Sequence, residues 1–422
     1  MLYRLISLLG LLVFIGLGVA FSKHRKNINW RTVGTGVGMQ FLFAVIILKT
    51  TPGQWVFALA RTVVARLLSF TDNGAEFLFG KLYRANEGIV QNLGGDGPFQ
   101  LMDASTGQFV EIGNVFAFHV LPTIIFFASL MGILYHIGFM QMLVRMMAWV
   151  MTRLMRVSGA ESLSAASNIF VGQTEAPFVV QPYIDKMTQS ELMAIMTGGF
   201  ATVAGGVMAA YVRFGIDPGH LLAASVMSAP AALVMAKLLY PETEEPETLG
   251  VVKLEVKKDT ANIIDAAASG AAAGLKLAAN VGAMLLAFIA LIAMINYFLG
   301  FVGLSLNQIL GYLFSPLAFC MGVDKGDLLA VGNLLGNKVA INEFVAYVDL
   351  AGLKGAISER SFTIATYALC GFANFSSIAI QIGGIGSIAP GRRRDLAKIG
   401  LRAMFGGALA SWMTATIAGM LL

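Results

Sequence analysis

Charge is what this sequence has least of. Of 422 residues, 13% are Asp, Glu, Lys or Arg, 57% are hydrophobic, and the mean hydropathy is +0.75. A soluble domain carries about a quarter charged residues, so a water-solvated fold is excluded and an integral membrane protein is indicated. Two cysteines, Cys320 and Cys370, both in apolar stretches, exclude a disulfide framework or a thiolate metal site. Histidine is equally scarce, at four. There is no His-Glu-x-x-His motif, no nucleophile elbow and no pair of intramembrane aspartates, which argues against an enzyme. The net charge of +5 sits in short clusters beside apolar runs. It reports topology and gives no sign of a nucleic-acid partner.

What is present is a series of apolar runs near the roughly 20 residues that cross a bilayer as a helix. The expectation is an all-α polytopic membrane protein with about eight transmembrane helices, two re-entrant helical hairpins, interfacial helices and an inverted repeat. Basic residues Lys23, Arg25, Lys26 and Arg31 follow the first run, Leu5 to Phe21, whereas only Arg4 precedes it. By the positive-inside rule the N-terminus lies outside. Val33 to Leu48 returns, Pro52 to Phe70 lies along the interface, and Asp72 to Gly113 forms a polar external segment. Further spans are placed at Phe116 to Ile137, Thr188 to Tyr211, Leu221 to Leu239, Leu277 to Leu299, Phe362 to Ile388 and Leu401 to Leu422. Met140 to Val157 and Ala261 to Leu275 read as interfacial helices, and Pro241 to Asp259 as a charged, solvated linker.

Two segments are too polar for ordinary spans. Ser158 to Asp185, around the motif Ser167 to Pro177, holds Asn168, Gln173, Thr174 and Glu175, and Asp324 to Asp349 holds Asn333, Asn337, Lys338, Asn342 and Glu343. Polar groups at membrane depth are costly and mark substrate or ion pathways, so both read as hairpins that dip in and return. Glu175 and Glu343 are 168 positions apart, as are Ser190 and Ser358 (343 − 175 = 358 − 190 = 168). Gly199-Phe200-Ala201-Thr202 then has its counterpart 172 positions on, in Gly371-Phe372-Ala373-Asn374. Hairpins entering from opposite sides, each followed by a Gly-interrupted helix, form the inverted repeat of a secondary transporter. A channel suits two asymmetric hairpins less well. The plain alternative for Glu175 is a hairpin-tip acid that pairs with Lys338 or caps a helix. For Glu343 it is an intrahelical pair with Lys338.

Gly172-Gln173-Thr174-Glu175-Ala176-Pro177, Asn342-Glu343-Phe344-Val345-Ala346-Tyr347 and the run Ala368 to Ala379 resemble the signatures of the concentrative nucleoside transporter family. The likeness covers nearly the whole chain, and Thr174 to Pro177 resembles the sodium-coupled type. A homotrimer is implied, with a transport domain of hairpins and broken helices moving like an elevator against a scaffold. The resemblance places nucleosides such as uridine against Gln173, Thr174 and Glu175 through the base, with Val207 nearby. Glu343, Asn374 and Ser377 would hold the ribose and Phe372 would pack on the nucleoside. A co-transported sodium ion would lie near Asn168, Thr202 and the carbonyls of Val171 and Val203. The implied function is sodium-coupled nucleoside symport into the cell; a proton-coupled carrier, or a sodium-coupled carrier of another polar solute, is the alternative. The implied location is the bacterial inner membrane, with both termini periplasmic. The organisation expected is 1–157 N-terminal scaffold, 158–240 first transport repeat, 241–323 linker, interfacial helix and scaffold span, and 324–422 second transport repeat.

Overall fold

A computed structural model describes residues 2–80, 83, 101–102, 109–110, 116–250 and 260–422. Its α-helices longer than four residues are α1 (Leu2–Ala20), α2 (Trp30–Lys49), α3 (Thr51–Phe79), α4 (Leu121–His136), α5 (Phe139–Met155), α6 (Gly159–Ser167), α7 (Gln189–Ala201), α8 (Gly205–Arg213) and α9 (Pro218–Leu239). They continue as α10 (Ile263–Gly300), α11 (Leu306–Cys320), α12 (Leu328–Ala340), α13 (Glu343–Gly352), α14 (Glu359–Leu369), α15 (Phe375–Ile388) and α16 (Arg393–Leu421). A two-residue antiparallel ladder pairs Leu101 with Val110 and Met102 with Phe109.

Among the described residues, seven helical segments are long and apolar enough to cross a membrane. The eighth expected span is divided: α14 and α15, of 11 and 14 residues, are each too short alone. The segments sort into an inner and an outer set. The spanning window of α9 is 89% buried and that of α10 only 11%. Thus α7, α9 and α16 form the centre of the molecule, and α10 shows most of its surface to the outside.

Capping side chains set the local boundaries. Ser158 with Glu161, and Thr188 with Glu191, form reciprocal capping boxes at α6 and α7, satisfying backbone donors that a helix start leaves open. Ser358, Asn342 and Asn374 cap α14, α13 and α15 in the same way through one side-chain acceptor each. The structural caps shift the repeat slightly. The helix after the first hairpin is capped by Thr188, not Ser190, so its counterpart Ser358 is 170 positions on (358 − 188 = 170).

Several sequence expectations are corrected. The interfacial helix expected to end at Phe70 continues to Phe79 and takes Asp72 with it, because Leu68, Thr71 and Ala75 keep one face buried. It ends at Gly80, whose φ of +54° suits a residue without Cβ. Most of the external segment that was expected to follow lies outside the described residues, as do 251–259 of the linker. Ala261 to Leu275 and the following span are one continuous helix of 38 residues. Its glycines serve packing instead of a break. A Cβ at Gly270 would lie 2.6 Å from the Ala128 carbonyl oxygen, and one at Gly274 would lie 2.8 Å from Ile125 Cα, so α10 and α4 touch backbone to backbone. Helix α11 was not anticipated as an element. Nor is the linker wholly solvated: Thr248 is buried, and its carbonyl and hydroxyl accept the Gly159 and Ala160 N–H groups at the base of the first hairpin.

A buried polar chain joins both hairpins

Two helix breaks lie back to back. Helix α7 stops because Thr202 is extended (φ −123°, ψ 166°), and its hydroxyl donates back to the Gly198 carbonyl at 3.0 Å. Helix α8 restarts at Gly205, whose N–H donates to the Phe170 carbonyl at 3.1 Å, tying the hairpin tip to the break. In the second repeat the break contains Gly371 at φ +130°, where a Cβ would stand 2.6 Å from the Phe200 carbonyl oxygen. Only glycine lets the two breaks approach this closely.

From there a continuous run of hydrogen bonds crosses the core. Gln381 Nε2 donates to the Met196 carbonyl at 3.1 Å and to Gln173 Oε1 at 3.0 Å. Gln173 Nε2 donates to Ser377 Oγ at 3.2 Å. The Ser377 N–H donates to Asn374 Oδ1 at 2.9 Å, and Asn374 Nδ2 donates to Glu343 Oε2 at 3.0 Å. Tyr211 closes the run by donating to Glu343 Oε1 at 3.3 Å, its ring stacked on Tyr347 at 4.1 Å between centroids. All of these side chains are buried. Glu343 occupies the first turn of α13, where the helix dipole favours a negative charge. Chemically, the run offers one carboxylate, amides and hydroxyls in a dry setting. That set suits a neutral solute rich in hydroxyls and ring donors.

Of the expected solute residues, Gln173, Glu343, Asn374 and Ser377 are thus brought together. Thr174 lies against α15, where a Cβ at Gly384 would meet its Cγ2 at 3.1 Å. Val207 is buried and Phe372 half-buried, both packed on the main core and outside the polar run. Glu175 is exposed and faces a separate cavity of about 700 Å³ with Gly172, Tyr135, Val179 and Gly206. It caps nothing. Lys338 is not its partner either, since the Lys338 ammonium donates to the Ala368 carbonyl at 2.8 Å. Sequence reasoning missed Tyr211 and Gln381. Gln381 was legible, as a single amide in the apolar α15 four residues after Ser377 and hence on the same helix face. Tyr211 carried no such signal.

The expected sodium residues cluster as well. Asn168 Nδ2 donates to the Ser164 carbonyl at 3.0 Å, while its Oδ1 is buried without a hydrogen-bond partner among the described residues. Asn168 rests on the last turn of α7, since a Cβ at Gly198 would be 3.2 Å from its Nδ2. Val203 is fully buried beside Thr202, and Val171 is half-buried at the hairpin tip. An orphaned buried oxygen calls for an explanation such as an ion, and neutral oxygens at a helix break fit sodium as a co-transported substrate.

Apolar crossing helices, paired hairpins and interrupted helices meeting on a buried polar run define a multi-pass membrane transporter. Comparison with known proteins agrees. Models of the Na+ dependent nucleoside transporter N-terminus and C-terminus match residues 9–82 and 220–419, and a nucleoside recognition model matches 117–217. An uncharacterized transporter of Bacillus subtilis, YutK, is 44% identical over 98% of both chains. Solute carrier family 28 member 3 of Rattus norvegicus is 45% identical over 99% of this chain and 59% of its own length. This chain therefore spans about three fifths of that relative. The structure of CNTnw in an inward-facing substrate-bound state superposes with a TM-score of 0.88, at 45% identity over 99% of this chain and 98% of that one. The chain belongs to the concentrative nucleoside transporter family, whose matched members are transporters and not enzymes.

Proposed function

We propose that this protein is a secondary active transporter that carries nucleosides such as uridine into the cell together with sodium. The observation that carries the reading is the hydrogen-bonded run from Gln173 to Glu343, which joins both hairpins to the second broken helix. In this reading Gln173, Thr174 and Glu175 meet the nucleobase beside Val207. Glu343, Asn374 and Ser377 take the ribose hydroxyls, and Phe372 packs on the nucleoside. Ionised Glu343 accepting from vicinal hydroxyls makes the strongest contact. Asn168, Thr202 and the carbonyls of Val171 and Val203 hold the sodium ion, using the Asn168 oxygen that has no hydrogen-bond partner among the described residues.

The transport domain comprises 158–240 and 324–422, which move as an elevator against a scaffold of 1–157 and 241–323, assembled as a homotrimer. The close α4 and α10 pairing supports a stiff scaffold element. The location proposed is the bacterial inner membrane with both termini periplasmic. Uptake by proteoliposomes tests the function. An inward sodium gradient should concentrate labelled uridine above equilibrium. Equal uptake driven by a proton gradient without sodium would refute the coupling, and conversion of uridine to a product would refute transport.

A further inference from the structure

Each hairpin carries one glutamate at its tip, Glu175 in the first repeat and Glu343 in the second, but only the second hairpin brings a cation of its own. Lys338 lies five residues before Glu343. The residue in the same place in the first hairpin, 168 positions earlier, is Phe170 (338 − 168 = 170). Lys338 is fully buried, and its ammonium donates to the carbonyl of Ala368 in the last turn of α14, just before the second break. Lys338 lies in the last turn of α12 and Glu343 in the first turn of α13, on the two sides of the hairpin turn. In the first repeat the matching place, the last turn of α7 just before the first break, is where Asn168 rests with its unpartnered oxygen.

We propose that Lys338 is a tethered cation, filling in the second repeat the position that sodium fills in the first. This rests on the sodium site described under Proposed function. The electrostatics favour it. A buried ammonium with no role would face a large desolvation cost, whereas one bonded to a carbonyl in the last turn of a helix is favoured by that helix end. Lys338 then acts as a positioning residue. It holds the second hairpin, and with it Glu343, against the second break, so only the first repeat needs a cation from solution.

The test is equilibrium binding of uridine in detergent as a function of sodium concentration, with thermal melting of each variant alongside. The wild-type protein should show a simple, non-cooperative sodium dependence. Lys338→Arg should retain it. Lys338→Ser, which leaves space and a hydroxyl, should lower uridine affinity by at least about 100-fold at low sodium, the scale of losing one partner of a buried charge pair. High sodium should restore that affinity along a cooperative, sigmoidal curve as a second ion enters. A non-cooperative curve with unchanged affinity in Lys338→Ser would overturn the proposal. So would equal loss of binding and of melting temperature in both variants, which would assign Lys338 to packing. Sodium-independent binding by the wild-type protein would instead refute the coupling under Proposed function, so the two failures are separable.

Discussion

Asn374 Nδ2 donates to Glu343 Oε2 at 3.0 Å while Asn374 Oδ1 caps α15. One amide therefore fixes the start of a helix and the orientation of the carboxylate on the second hairpin. A solute that exchanges its hydroxyls for the Asn374 donor at Glu343 would alter how the second hairpin is held against the second broken helix.

Glu343→Gln keeps the shape of the side chain and removes its charge. Uridine uptake should fall by about 100-fold or more, because a charge-assisted pair with the ribose is replaced by a neutral one. Folding should survive, since the amide can still accept from Tyr211. Proteoliposome uptake with a parallel melting curve checks both; retained uptake would remove Glu343 from the site.

Gln381→Leu strips the donor shared by Gln173 and the Met196 carbonyl. Leaving those acceptors unpaired costs about 1–3 kcal/mol. Because Gln173 loses its orientation, uridine affinity should weaken by more than the melting temperature alone implies. Isothermal titration at saturating sodium measures this. An effect confined to melting would make Gln381 structural.

Asn168→Ala deletes the buried oxygen that has no hydrogen-bond partner among the described residues. The sodium concentration needed for half-maximal uridine binding should rise about tenfold or more, in line with losing one charge-assisted contact. Affinity at saturating sodium should stay near the wild-type value. A fall in affinity that no sodium concentration restores would place the ion elsewhere.

Lys237 is paired with buried Glu161, and it also donates to Ser190 Oγ at 2.9 Å and reaches Glu242 at 3.3 Å. Lys237→Met should destabilise the fold by roughly 3–5 kcal/mol by leaving Glu161 uncompensated. The double variant with Glu161→Gln should recover part of that loss. Thermal melting of the purified variants decides it: a double variant no more stable than the single one would contradict the coupling.

The architecture was largely legible, because apolar runs and glycine-marked breaks are local signals. Thr202 and Asn374 were placed at breaks from sequence, and each is where a helix is interrupted. The misreadings share a cause. Ala261 to Leu275 reads as an interfacial helix of its own, yet the small size of Gly270 and Gly274 serves close packing on α4 within one long helix, a tertiary fact that leaves no trace in periodicity. Asp72 suggested a loop, but its partner Arg213 is 141 residues away. Within the site, Gln173 and Glu343 stood out because polarity in an apolar context is conspicuous. Tyr211 did not, since an aromatic residue at a helix end is ordinary until its hydroxyl is seen against a carboxylate.

The length of α10 carries a consequence of its own. A helix of 38 residues extends about 57 Å at 1.5 Å per residue, nearly twice the ~30 Å hydrocarbon layer. Upright, it would carry a long overhang into the headgroups; obliquely, it exposes apolar surface along a slanted path. Either way the fit of this rod depends on bilayer thickness. Because α4 is locked to it through glycines, lipid chain length becomes a mechanical input to both helices at once.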